Sequence, residues 1–90
     1  MTIYDYFLKL AILEVDMFEC ESVQERNIFR DKKEILCQEI NNLFSYNIAR
    51  KIYKSDEYTQ LYNIIFDGNL SKNKENLILI KNKIDNIIKL

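Results

Sequence analysis

The chain has 90 residues, of which 48% are hydrophobic and 30% charged, with a net charge of −1. That is enough apolar material for one modest core and too much for a disordered chain, and the near-neutral balance gives no global attraction to nucleic acid or to an anionic membrane. The absence of histidine removes Ser-His-Asp and Cys-His catalysis, imidazole base chemistry and most zinc sites.

There is no proline and a single glycine, Gly68. Sheets and tight turns need such residues for special backbone angles, whereas helix interiors exclude them. The expectation is therefore an all-α fold in one domain spanning residues 1–90. A first helix over about 3–20 opens at Thr2, which has capping-box spacing to Asp5. Two apolar stripes run along it: Tyr4, Leu8, Ala11, Val15 and Phe18, and beside them Tyr6, Leu10, Leu13 and Met17. So wide an apolar surface implies packing on more than one side.

A second helix starts after Ser22, which with Glu25 forms an S-x-x-E capping box. Its apolar track extends to Ile52 and Tyr53, which predicts one helix over 23–54, kinked near 45–47 where Ser45 and Asn47 compete for backbone hydrogen bonds. Ser55 opens a third helix over 56–67, with Asp56 and Glu57 at its positive end and Gly68 just past its close. Ser71 is expected to cap a fourth over 72–89, with Leu77, Ile80, Ile84, Ile87 and Ile88 on one face and Lys74, Lys81 and Asp85 on the other. The sum is a compact four-helix bundle.

Charge alternates along these elements. Residues 1–25 hold six acids and one base (net −5), and 26–54 hold seven bases and three acids (net +4). Residues 55–71 hold three acids and no base (net −3), and 72–90 five bases and two acids (net +3). Such alternation suits pairing between neighbouring helices, or a charged face turned to a partner. In the stretch LEVDMFECESVQE, Glu21 and Glu25 fall where the second helix's dipole favours acids, but Glu14, Asp16 and Glu19 lie at the unfavourable end of the first. Arg26, Arg30 and Lys33 share one helical face and are candidate internal partners for them.

Cys37 lies about 22 Å along the second helix from its start, and Cys20 precedes that helix. A disulfide needs Cα atoms within about 7 Å, so two reduced thiols are expected, with Cys37 a small core residue. Neither a P-loop nor a glycine-rich dinucleotide-binding fingerprint can be built with one glycine, and no catalytic residue, metal site or cofactor is expected. No apolar run approaches roughly 18 residues and no basic leader is evident, so a cytoplasmic location without a membrane span is expected, the host cytoplasm if the chain is viral.

A protein of this kind acts by occupying a surface. The leading expectation is a non-enzymatic binding protein that inhibits or modulates a larger macromolecular partner, presenting Glu14, Asp16, Glu19 and Glu21 to a basic channel. Its Ile-, Asn-, Lys- and Tyr-rich composition, with AT-rich codons, fits a phage or mobile-element anti-defence (anti-CRISPR-like) protein. One alternative is a bundle of the bacteriocin- or toxin-immunity type, acting through its basic C-terminal helix. Another is a small nucleic-acid-binding regulator, dimeric, using Arg26, Arg30, Lys33, Arg50 and Lys54 on phosphates with Tyr46 and Tyr53 for stacking. A protein partner is expected ahead of nucleic acid, and homodimerisation is left open.

Overall fold

Thr2 begins the first helix as its sequence spacing requires. Its hydroxyl accepts the Asp5 amide at 3.4 Å, and its own amide donates to the Asp5 carboxylate at 2.9 Å, closing a reciprocal capping box. The computed structural model describes residues 2–87. Five helices follow one another: α1 (Ile3–Glu19), α2 (Val23–Leu43), α3 (Tyr46–Tyr53), α4 (Asp56–Asp67) and α5 (Lys74–Ile87), with no strand among the described residues.

The four-helix expectation is corrected at one place. The span 23–54 is two helices, not one kinked helix. Phe44 leaves helical angles (φ −129°, ψ 148°), and the extended Ser45 restarts the chain by accepting the Ile48 amide on its hydroxyl at 3.3 Å. The Ser45 cap offsets part of the cost of the amides that a new helix start leaves free, so the chain can break here when packing favours it. The edge of the Phe44 ring meets Tyr6 of α1 at 5.8 Å, which anchors the corner.

Smaller departures have similar causes. Ser22 caps α2, but only half of the expected box forms, because the Glu25 carboxylate accepts the Cys20 thiol and not the Ser22 amide. Ser71 does not cap the last helix. Residues 71–73 form a turn, and α5 starts at Lys74, with the Asn73 carbonyl accepting the Leu77 amide at 2.9 Å. Asp85, placed on the polar face by spacing, is half-buried and accepts the Tyr4 amide at 3.4 Å, tying the start of α1 to the end of α5. The expected extension to residue 89, and Ile88 with it, lies outside the described residues. Gly68 ends α4 at φ +72°, a left-handed cap that glycine adopts without steric cost.

α1 packs against α2, α4 and α5 and supplies the centre of the core. Ile3, Phe7, Leu10 and Ala11 from α1 meet Leu36 and Ile40 of α2, Ile52 of α3, Leu61 of α4, and Ile80 and Ile84 of α5. Ile3 and Phe7, which belong to neither stripe read from the sequence, are each 1% exposed, whereas Phe18 from the first stripe is 70% exposed. Truncating Phe7 to alanine would cost about 3–5 kcal/mol. Every buried side-chain nitrogen and oxygen among the described residues has a hydrogen-bond partner.

Candidate binding groove

The break at Phe44–Ser45 shapes a concave surface. Were 23–54 one helix, Lys33 and Arg50 would stand about 25 Å apart along its axis. Instead α3 turns back beside α2, and between them opens a groove of about 450 Å³ floored by Phe7, Leu10, Ile40 and Ala49. Lys33, Arg50 and Lys54 line it together with Tyr46, Tyr53, Cys37 and Asn41, and no acid is among its lining residues. Tyr46, Arg50, Tyr53 and Lys54 come from one face of α3 and its C-cap, at spacings i, i+4, i+7 and i+8. Arg50 sits in the last turn of α3, where the helix dipole favours cations.

One wall of the groove is fixed from behind by Glu14. This residue continues the buried register Ile3, Phe7, Leu10 at i+4, i+7 and i+11, so it points along the core face of α1. Its carboxylate accepts hydrogen bonds from the Tyr58 and Tyr53 hydroxyls, the latter at 3.2 Å, and pairs with the Lys33 ammonium at 3.8 Å. The Tyr53 and Tyr58 rings lie 5.1 Å apart. Tyr58 is 5% exposed, and burial, followed by its bond to Glu14, holds its hydroxyl far above the ordinary tyrosine range. Burial also raises the Tyr53 hydroxyl and the Cys37 thiol. Tyr53 is thus held at both ring and hydroxyl, a rigid surface for a ligand to stack on.

The residues singled out from the sequence therefore divide. Lys33, Arg50 and Lys54 are brought together, whereas Arg26 is occupied elsewhere: its guanidinium donates to the Cys20 carbonyl at 2.9 Å and closes the C-terminal end of α1. Arg30 is exposed on α2 and is not part of the groove. Of the four acids, Glu14 is turned inward. Asp16 is half-buried, and Glu19 and Glu21 are exposed near the α1–α2 turn. Lys33 and Glu14 realise the internal pairing between the first and second helices that the charge pattern suggested. The sequence held one overlooked signal, an acid standing in the apolar register of Ile3, Phe7 and Leu10.

Near the acidic turn, Phe18 (70% exposed) meets the edge of Phe66 (41% exposed) at 5.4 Å. Cys20 and Cys37 are free thiols. No helix of the described residues is long and apolar enough to cross a membrane. No protein-family model matches the chain, and neither curated proteins nor solved structures show a significant match to it.

Proposed function

We propose that this protein is a non-catalytic binding module whose groove between α2 and α3 takes a nucleotide unit of a single-stranded nucleic acid. The observation that carries this reading is the convergence of Lys33, Arg50 and Lys54 with two exposed tyrosines on one acid-free concave surface. A base stacks on Tyr53 or Tyr46, an interaction worth about 1–3 kcal/mol per base. The flanking phosphate sits on Arg50 and Lys54, the two cations not already drawn to Glu14. The volume suits one nucleotide, so affinity rests on a single phosphate and falls gently with salt, with a log–log slope of about −0.7.

The test is fluorescence anisotropy with labelled single-stranded DNA and RNA, against an acidic peptide of equal charge. Binding of the oligonucleotides, weak binding of the peptide, and loss of affinity in the double variant Arg50→Ala, Lys54→Ala support the reading. Equal binding of the peptide, or full affinity in the double variant, overturns it.

A second reading is favoured by the Phe18–Phe66 pair. Exposed aromatics flanked in sequence by Glu19 and Asp67 offer an apolar anchor with an acidic rim to a basic protein partner. Inhibiting or modulating a larger partner, such as a host defence enzyme with a nucleic-acid channel, is the role this surface would serve. Reversal of Asp16, Glu19 and Glu21 to lysine, combined with Phe18→Ala, would abolish that activity and leave oligonucleotide binding in place. An unchanged inhibitory activity would dismiss the reading.

A further inference from the structure

The side of α2 opposite the groove carries a second pattern. Ile28, Lys32, Ile35, Glu39 and Leu43 form one stripe along it, and Ile28, Ile35 and Leu43 are 54%, 58% and 59% exposed. Lys32, Ile35 and Glu39 also edge a depression of about 390 Å³ between α1 and α2, floored by Leu13 and Leu36.

Reversed end to end, the stripe is complementary to itself, with its apolar ends exchanged and Lys32 exchanged with Glu39. About a point midway between Ile35 and Leu36, Lys32 and Glu39 are equidistant, each about 5 Å along the axis, and so are Ile28 and Leu43. We propose that a second copy of this chain covers the stripe, α2 lying antiparallel on α2 about a two-fold axis through that point. The operation sets Lys32 against the partner's Glu39, and Glu39 against the partner's Lys32. It sets Ile28 against the partner's Leu43 and packs Ile35 at the axis. A two-fold interface must be complementary to itself, and this stripe meets that condition in both charge and apolarity. The apolar residues supply attraction, and the two symmetry-related ion pairs fix direction and register. Lys33, Cys37 and Asn41 lie on the other side of α2, so both grooves stay open in the dimer.

Sedimentation equilibrium of the full chain tests the proposal, with Lys32→Glu, Glu39→Lys and the double exchange as variants. These residues are exposed, and far-ultraviolet dichroism verifies that each variant keeps its helices. The wild type is expected to dimerise. Each single reversal sets like charges together twice per dimer and should weaken association about ten-fold. The double exchange restores the pairing and should return the dissociation constant to within about three-fold of wild type. Ile35→Lys should give monomer, because it puts two cations at the axis. A wild type that stays monomeric at millimolar concentration overturns the proposal. So do single reversals without effect, and a double exchange as weak as the two single effects combined.

Discussion

The hydroxyl of Tyr58 on α4 donates to the carboxylate of Glu14 on α1, 44 residues earlier in the chain. The same carboxylate holds Tyr53 of α3 and Lys33 of α2, so one acid ties together four helices. Removing it should cost more than its single ion pair suggests. Glu14→Ala leaves the buried Tyr58 hydroxyl without its partner and is expected to lower unfolding free energy by about 2–3 kcal/mol. Tyr58→Phe leaves Glu14 with Tyr53 and Lys33, and should cost about 1 kcal/mol. Urea denaturation of both single variants and the double checks this. The expected coupling is about 1 kcal/mol, and strictly additive effects would show that the two groups do not interact.

Alkaline pH should weaken the fold through the same tyrosine. Burial and Glu14 raise the folded-state pKa of Tyr58 above the ordinary 10.0, so below pH 10 its proton stays on in both folded and unfolded chains and its contribution is complete. Above pH 10 the unfolded chain loses that proton first, and stability falls by up to about 1.4 kcal/mol per pH unit. Tyr58→Phe should flatten this limb in urea midpoints measured from about pH 8 to 11. Asp5 works in the other direction. Its bond from the Thr2 amide holds its carboxyl below the ordinary 3.8, so its stabilisation is present above that value and lost as pH falls through its folded pKa.

Glu14 also restrains the groove. Glu14→Gln removes a negative charge behind Tyr53 and releases Lys33, so oligonucleotide affinity should rise about three- to ten-fold while stability declines. Lys33→Met should change affinity less than Arg50→Ala, because Lys33 already faces a carboxylate. Anisotropy titrations of the three variants decide it, and equal losses from Lys33→Met and Arg50→Ala would contradict the geometry.

Two of the connections between helices can be probed singly. Ser45→Ala removes the cap of α3 and should cost about 1 kcal/mol by thermal or urea denaturation. It should also lower oligonucleotide affinity, since the groove depends on that corner. Gly68→Ala meets no atom within 4 Å, so its expected cost of about 1 kcal/mol is entirely that of the left-handed backbone.

Much of this protein was legible in the order of its residues. The lack of proline, the lone Gly68, and Thr2, Ser22 and Ser55 ahead of apolar periodicity determined an all-α chain and three of its five helix starts, because capping and periodicity act within one or two turns. Local signals could not decide whether Ser45 kinks a helix or ends it, since that depends on Phe44 meeting Tyr6 and on Ile52 reaching the core. Nor could they show that Glu14 faces Tyr58 and not solvent, or that Lys33 and Arg50 share a groove. Those relations join residues 17 to 44 positions apart. Packing of the helices against one another sets them, and sequence spacing within any one helix carries no record of it.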